Sequence, residues 1–326
     1  MALRIGVVGT GWFSKMHASL LSKMDDVHVQ AFCGSSKEKA EKFASSFSGA
    51  KGYGNLNEML DKEQIDAVYI CVPPLVHGEI EKMLIEYGIP FLVEKPIGND
   101  IAIPNSILAE VKKKSLITSV GYHFRYKPSV QLLKQKLENQ SLGMISGYWM
   151  GEMPQVGWWR KQECSGGQFI EQTTHIVDLL RYVAGEVVEV YAAYGNRVCQ
   201  NLYEEVSVHD VGTVTMKLKS GVVATISNTC ILPKGVWQMN MAFFTDQGVM
   251  TWEPDRLTIT ESSGKKVEEL NSSNPYLQES EAFLYAVRTG DRSKILSDYN
   301  DAFLTQTITC QALESANTGL PIKINS

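Results

Sequence analysis

Short apolar runs alternate with amphipathic stretches along residues 1–121. Residues 65–72 form a nearly continuous apolar run, as expected for a strand buried on both faces of a parallel sheet. Strands alternating with helices predict a doubly wound parallel sheet, the Rossmann fold. The predicted strands are residues 3–8, 27–33, a short strand near 52–53, 65–72, 90–93 and 117–121.

The second half of the chain has a different pattern. A helix over residues 128–139, a strand over 145–153 and a helix over 168–183 are followed by strand-like segments at hairpin spacing. These segments are residues 187–197, 206–218, 222–230, 236–244, 249–253, 257–261 and 265–270. Helices over residues 279–289 and 298–317 follow. The pattern predicts an α+β domain with a large, open, mostly antiparallel sheet.

Length and composition support two domains. A chain of 326 residues is long for one core, so we expect a dinucleotide-binding domain over residues 1–122 and a second domain over residues 123–326. The formal net charge of −5 provides no basic surface for nucleic acid, and no apolar segment resembles a membrane span or a signal peptide. The six cysteines form no Cys-x-x-Cys pair. We expect a cytoplasmic protein with reduced cysteines and no metal site.

The first predicted strand ends in a glycine turn. Gly9 allows a tight turn into the next helix, and Gly11 lets the backbone approach a pyrophosphate. The helix that begins with Trp12 and Phe13 then points its free N–H groups at that anion. Ser14 stands where the full fingerprint has a third glycine. The turn predicts a nicotinamide dinucleotide, NAD or NADP.

The end of the second strand bears on the choice between the two cofactors. An acidic residue there would bind the ribose 2′-OH of NAD, but the chain has Gly34, Ser35, Ser36 and Lys37. Two hydroxyls and a lysine suit a 2′-phosphate, so the segment favours NADP. Ser35 or Ser36 also suits the cap of the following helix.

Two later segments are expected at the same edge of the sheet. Pro73 and Pro74 end the fourth strand, with His77 in the loop that follows, where it contacts cofactor or begins a helix. The fifth strand is followed by Glu94 and Lys95, and we assign both to the cofactor site as well.

The second half supplies further candidates. Trp159 and Arg160 lie in a loop whose aromatic faces suit a sugar ring or, alternatively, a hydrophobic plug. In the predicted helix 168–183, Glu171, His175 and Asp178 are spaced four and three residues apart. This spacing places all three on one helix face, where carboxylates can orient the imidazole.

The combination of motifs resembles the glucose–fructose oxidoreductase/inositol dehydrogenase family. The Gly9-Thr10-Gly11 turn, the Pro73-Pro74 loop and Glu94-Lys95-Pro96 carry the resemblance. The segment from Gly121 to Tyr126 resembles the family's Gly-Phe-Asn-Arg-Arg-Phe, with Arg125 matching and His123 replacing Asn. Glu171 and His175 align with the family's Asp-x-Gly-x-His, with Glu for Asp and Thr173 for Gly.

The resemblance implies a reaction, site roles and an assembly. We expect hydride transfer between nicotinamide and a hydroxyl or carbonyl carbon of a sugar, polyol or inositol. We assign the base role to His175, with Lys95 stabilising charge on the same oxygen; the sequence also allows Lys95 to take the proton, or the two to titrate as a unit. Glu171 orients the base or binds substrate, and Arg125, Trp159 and Arg160 are substrate contacts. The family commonly associates through the second sheet, which implies a homodimer or homotetramer. The alternatives are redox-assisted elimination or glycoside cleavage with the cofactor recycled in place, and a non-catalytic nucleotide sensor.

Overall fold

The structure is a computed structural model that describes residues 2–270 and 274–324. It contains two compact units. The first contains the chain up to Gly98, Ala102–Gly121 and Tyr276–Phe303, and the second contains Asn99–Ile101, Tyr122–Pro275 and the chain from Leu304 onwards. Both units are therefore built from segments that are separated in the sequence.

The strands and helices follow the predicted order closely. The strands are β1 (Leu3–Val8), β2 (Val27–Cys33), β3 (Lys51–Tyr53), β4 (Ala67–Ile70), β5 (Phe91–Val93), β6 (Thr118–Val120), β7 (Leu142–Met150), β8 (Val187–Gly195), β9 (Val211–Leu218), β10 (Val223–Thr229), β11 (Gln238–Thr245), β12 (Gly248–Glu253), β13 (Arg256–Glu261), β14 (Gly264–Glu269) and β15 (Ile322–Lys323). The helices are α1 (Trp12–Leu21), α2 (Lys37–Ala44), α3 (Leu56–Lys62), α4 (Glu79–Tyr87), α5 (Ala102–Lys114), α6 (Pro128–Leu137), α7 (Gln162–Ser165), α8 (Gln168–Glu171), α9 (Thr174–Ala184), α10 (Cys199–Leu202), α11 (Pro275–Thr289) and α12 (Tyr299–Thr318).

The sheet of the first unit has six parallel strands in the order β3-β2-β1-β4-β5-β6. All four residues of β4 are buried, as its apolar sequence predicts for a strand covered on both faces. The strand order reverses between β1 and β4. In a doubly wound sheet this reversal is the place where ligands bind, beyond the carboxyl ends of the strands.

The sheet of the second unit has nine strands in the order β14-β13-β12-β11-β7-β10-β9-β8-β15. Only the β7–β10 pair is parallel among the neighbouring strands that the structure describes. Residues of β9 alternate between buried and more exposed, and the buried side packs with apolar residues of α6 and α9. The predicted fold class, a Rossmann sheet with a mostly antiparallel second sheet, is confirmed.

One predicted helix is interrupted in the structure, so the prediction of a continuous helix is wrong. The sequence predicts a single helix over residues 168–183, but the structure has α8, a turn at Gln172 and Thr173, and then α9. The amide of Thr173 donates to the carbonyl of Gln168, five residues back, so the regular hydrogen-bond ladder is interrupted. Glu171 and His175 therefore belong to different helices, and their four-residue spacing does not place them on one helix face.

The sequence also assigns residues 276–303 to the second domain, whereas the structure places this segment in the first unit. Phe283 and Leu284 of α11 are buried in the same apolar cluster as Ile5 and Leu21. Apolar residues that complete a core belong to that core wherever they occur in the sequence. The boundary in the middle of the chain falls between Gly121 and Tyr122.

Candidate functional site

The glycine turn joins β1 to α1, and its two glycines serve different purposes. Gly9 has φ of +113°, and a Cβ there would lie 2.2 Å from the carbonyl oxygen of Cys71, so only glycine fits. Gly11 is the N-cap of α1 at φ −90°, and a Cβ there would meet no atom within 4 Å. Among the residues that the structure describes, no side chain caps this helix at Gly11, which leaves its first backbone N–H groups to an anion.

A cleft of about 420 Å³ lies over this turn. It is lined by the carboxyl ends of β1, β2 and β4 and the loops that follow them, including Gly9–Gly11, Cys33–Ser35 and Cys71–Pro73. Trp12, at the start of α1, is 69% exposed, and Phe13 is half-buried. The open backbone, the uncapped helix and the cleft fit the pyrophosphate region of a dinucleotide.

The segment after β2 is exposed and carries hydroxyl and amino groups. Ser36 caps α2, its Oγ accepting a hydrogen bond from the amide of Lys39 at 3.3 Å. The Lys39 ammonium donates to Ser35 Oγ at 3.4 Å, and Lys37 lies 3.8 Å from Glu41. Lys39 is a basic residue that the sequence interpretation missed. Its position four residues after Ser35, on the first turn of a helix, is the signal that could have identified it.

The loop after β4 forms a short 3₁₀ turn at Pro74–Val76 and then leads into α4. His77 is buried, its Nδ1 lies 2.6 Å from Glu81 Oε1, and the amide of Gly78 donates to Glu81 Oε2 at 2.6 Å. Burial raises the pKa of Glu81, but His77 and the backbone donors outweigh it, and the pKa is lowered overall. These contacts place His77 in the cap of α4.

Glu94 and Lys95 follow β5. The Glu94 carboxylate is buried and lies 2.8 Å from Nε2 of His17, which is fully buried on α1. A Cβ at Gly121 would lie 2.7 Å from Glu94 Oε2, so glycine at this position admits the carboxylate. Lys95 is half-buried. The His17–Glu94 contact links the glycine-turn helix to the end of β5, and the sequence interpretation missed it because His17 fits the pattern of a buried helix face.

In the second unit, His175 lies in the first turn of α9 and is 5% exposed. Aromatic rings lie against its imidazole, with centroid distances of 5.9 Å for Tyr122, 4.9 Å for His123, 4.9 Å for Phe124 and 6.0 Å for Trp149. Trp149 is stacked, with an interplanar angle of 15°. The imidazole is therefore fixed by aromatic packing from β7 and from the turn that follows β6.

The helix that carries His175 is also held by an ion-pair network. Arg125 donates to Asp178 from Nε at 2.8 Å and from Nη2 at 2.6 Å, and both side chains are buried. Thr305 on α12 donates to Asp178 at 3.0 Å and accepts from Arg181 at 2.8 Å. A bidentate arginine–carboxylate pair fixes both distance and orientation, so Arg125 and Asp178 hold α9 in place.

The remaining candidates lie near α8. Trp159 is 1% exposed and packs with Met153 and Val208 in a small apolar cluster. Its Nε1 donates to Glu171 Oε2 at 2.7 Å. The Arg160 guanidinium lies 4.6 Å from the ring centre of Tyr203. Trp159 thus forms the hydrophobic plug that the sequence allows, and it also provides a partner for Glu171.

Within residues 2–270 and 274–324, no cluster of three or more His, Cys, Asp or Glu side chains is arranged to hold a metal ion. None of the helices in this part of the chain combines the length and the apolar character that crossing a membrane requires.

The Rossmann unit with its open glycine turn, and the sheet-rich unit with its fixed imidazole, define a two-domain nicotinamide-dependent oxidoreductase. Residues 3–122 match the family described as "Oxidoreductase family, NAD-binding Rossmann fold", and residues 130–251 match the "GFO/IDH/MocA C-terminal domain". The chain belongs to the GFO/IDH/MocA oxidoreductase family.

Named relatives and solved structures agree with this membership. The chain is 25% identical to myo-inositol 2-dehydrogenase of Thermotoga maritima over 304 residues, covering 89% of each protein. It is 24% identical to D-glucoside 3-dehydrogenase of Escherichia coli K12 over 345 residues, covering 99% of this chain and 97% of that protein. The solved structure of a levoglucosan dehydrogenase with NADH and levoglucosan superposes with a TM-score of 0.90 at 18% identity over 100% of both chains.

Proposed function

We propose that this oxidoreductase transfers a hydride between a nicotinamide cofactor and a hydroxyl or carbonyl carbon of a sugar, polyol or inositol. The observation that carries the proposal is the buried imidazole of His175, packed among aromatic rings, in a chain whose glycine turn leaves the start of α1 uncapped. Relatives that are named inositol and glucoside dehydrogenases support the substrate class. When bound, the cofactor supplies the hydride acceptor or donor.

The residues of the first unit are proposed to hold that cofactor. Gly9 and Gly11 line the cleft and, with Trp12 and Phe13 at the start of α1, would bind the pyrophosphate side. Pro73 lines the same cleft, and Pro74, His77, Glu94 and Lys95, in the loops after β4 and β5, are proposed to complete the site. The hydroxyls at Ser35 and Ser36, with Gly34 and Lys37 beside them, favour the 2′-phosphate of NADP, and Lys39 adds a further ammonium group there.

The residues proposed to act on the substrate are His175, Lys95, Glu171 and Arg160. His175 accepts the proton of the reacting hydroxyl, and Lys95 stabilises negative charge that develops on that oxygen. Glu171, oriented by Trp159, binds substrate hydroxyls or steadies the base. We assign substrate contact to Arg160. The side chains of Arg125 and Trp159 are buried and donate to Asp178 and Glu171, so they are proposed to position those carboxylates rather than to contact substrate themselves.

Single-turnover reduction of the nicotinamide tests these roles. We expect His175→Ala and Lys95→Ala each to lower the rate by at least about 100-fold, the scale of a lost proton acceptor or charge stabiliser. His28→Ala, which removes an exposed imidazole from β2, serves as control. A rate in His175→Ala within about threefold of wild type would remove His175 from the base position. Inositols, aldoses and ketoses should be assayed with NAD and with NADP, and turnover of none of them would favour a nucleotide sensor.

We also propose self-association through the open face of the second sheet, as a homodimer or homotetramer. Val223, Met144 and Phe244 lie side by side on the neighbouring strands β10, β7 and β11, and all three are exposed. A row of exposed apolar residues across three strands is typical of an interface. Light scattering of wild type and of Met144→Lys tests this, with a smaller assembly expected for the variant. A monomeric wild type would contradict the proposal.

A further inference from the structure

His123 and His175 are both buried and lie in direct ring contact. Their exposed fractions are 7% and 5%, their ring centroids are 4.9 Å apart, and their planes meet at 74°. His123 begins the 3₁₀ turn that follows β6, and His175 lies on α9. The contact therefore joins two elements that are 52 residues apart in sequence, and both of its partners can carry a proton near neutral pH.

Several groups around the two rings are neutral or already paired. Tyr122 is hydrogen-bonded to Thr174, and burial raises the pKa of its phenol, so the hydroxyl stays neutral. Asp178 on α9 is already neutralised by two hydrogen bonds from Arg125. Phe124 and Trp149 pack against the imidazole of His175.

The charged group on the preceding helix, α8, is Glu171, which accepts a hydrogen bond from Trp159. Because the aromatic rings around the two histidines exclude water, two imidazolium ions in contact would repel each other strongly.

We infer that His123 and His175 bind protons as one coupled unit, in which the presence of His123 keeps His175 available as an acceptor by preventing both rings from being charged together. This deepens the proposed function and rests on it for its catalytic consequence. The coupling itself depends only on the ring contact. His123 is a positioning residue in this sense, because it acts on the reaction through His175.

The coupling predicts that the pair gains its two protons in two steps rather than one. In the full-length protein with ¹³C-labelled histidine, NMR should follow all six imidazoles between pH 4.5 and about 8.5, a range that brackets the ordinary histidine pKa. We expect the His123 and His175 signals to share two midpoints separated by at least about one pH unit. In His123→Asn, the His175 signal should show one midpoint, at least about one unit above the lower wild-type midpoint.

Activity provides a second, separable measurement. The acid limb of kcat/KM should move to higher pH in His123→Asn, and His123→Gln should reproduce the shift if the asparagine variant folds poorly. His28→Asn, which removes an exposed imidazole on β2, should leave the His175 titration unchanged. Independent, single-midpoint titration of both rings in wild type would overturn the inference. Coupled titration with a fully active His175→Ala would retain the coupling and refute the proposed base instead.

Discussion

The guanidinium of Arg125 donates hydrogen bonds to both oxygens of the Asp178 carboxylate. Arg125 lies in a turn after β6, and Asp178 lies in the middle of α9. Both side chains are buried, at 3% and 1% exposure. The pair therefore connects the segment that enters the second unit with the helix that carries the proposed base. Loss of this pair should mainly lower the free energy of unfolding and, as a smaller effect, displace His175.

Asp178→Asn should lower the free energy of unfolding by about 3–5 kcal/mol, because it leaves the Arg125 cation buried without its anion. Urea denaturation followed by circular dichroism measures the change. Glu314→Gln, an exposed charge removal on α12, should cost less than about 0.5 kcal/mol. Equal stability of the two variants would show that the pair contributes nothing to the fold.

The two glycines of the turn should respond differently to alanine. Gly9→Ala should fail to fold or lose several kcal/mol, because the methyl group would collide with the carbonyl of Cys71 at a positive φ. Gly11→Ala should keep the wild-type Tm but bind dinucleotide at least about tenfold more weakly, since its methyl group enters the open cleft. Thermal melting and fluorescence titration with NAD and NADP separate the two effects.

Ser35→Asp should reverse the proposed cofactor preference. A carboxylate after β2 can bind the ribose 2′-OH and repels a 2′-phosphate, so the ratio of the Kd for NADP to the Kd for NAD should rise at least about tenfold. Ser48→Asp adds the same charge at an exposed position in the same unit and should leave the ratio unchanged. Tighter binding of NAD than of NADP by the wild type would contradict the preference before any substitution is made.

Asp210 should make the stability of the second unit sensitive to acid. Its buried carboxylate accepts hydrogen bonds from the amides of Arg197, Val198 and Cys199, at 2.7 to 3.1 Å. Burial raises the pKa of Asp210, but the backbone donors outweigh it and the pKa is lowered overall. Its contribution is therefore complete above the pKa of the unfolded state, about 3.9, and is lost as the pH falls through the lower folded-state value.

Asp210→Asn tests whether the ionised carboxylate stabilises the protein and loses that contribution in acid. At pH 7 the variant should be about 1.5–3 kcal/mol less stable than wild type, the range of hydrogen bonds to a charged group. The difference should shrink as the pH is lowered below about 3.9. Urea midpoints at a series of pH values measure it, and a difference that stays constant down to acid pH would assign the loss to packing alone.

Trp159→Phe should separate the two roles of the buried indole. The variant keeps an aromatic ring in the cluster with Met153 and Val208 but removes the donor to Glu171. We expect a loss of about 1–3 kcal/mol in unfolding free energy and a lower kcat. Trp158→Phe, at the half-buried neighbouring position, should preserve kcat. An unchanged kcat in Trp159→Phe would show that Glu171 needs no orientation from the indole.

The features that were predictable from sequence depend on local pattern. The apolar run of β4, the glycine at φ +113° and the hairpin spacing of the second sheet are each determined within a few residues. The break between α8 and α9 was not predictable in this way. Thr173 occupies an ordinary helical φ/ψ, and no proline or glycine marks the interruption.

The contacts that define the candidate site were harder to predict because they join distant residues. The Arg125–Asp178 pair spans 53 residues, and the His17–Glu94 contact spans 77. Sequence spacing can suggest a pair only when both residues lie on the same helix or in the same hairpin. For that reason the sequence pairs Asp178 with His175, its neighbour on the same helix, rather than with Arg125.

The return of α11 to the first unit has a consequence for biosynthesis. When the ribosome has synthesised the six strands of the parallel sheet, Phe283 and Leu284 are still more than a hundred codons away. Until they are synthesised, the apolar cluster around Ile5 and Leu21 lacks these two residues. The first unit can therefore complete its apolar core only after nearly the whole polypeptide has been synthesised. A gene truncated after residue 122 would express an incomplete core that is prone to aggregate.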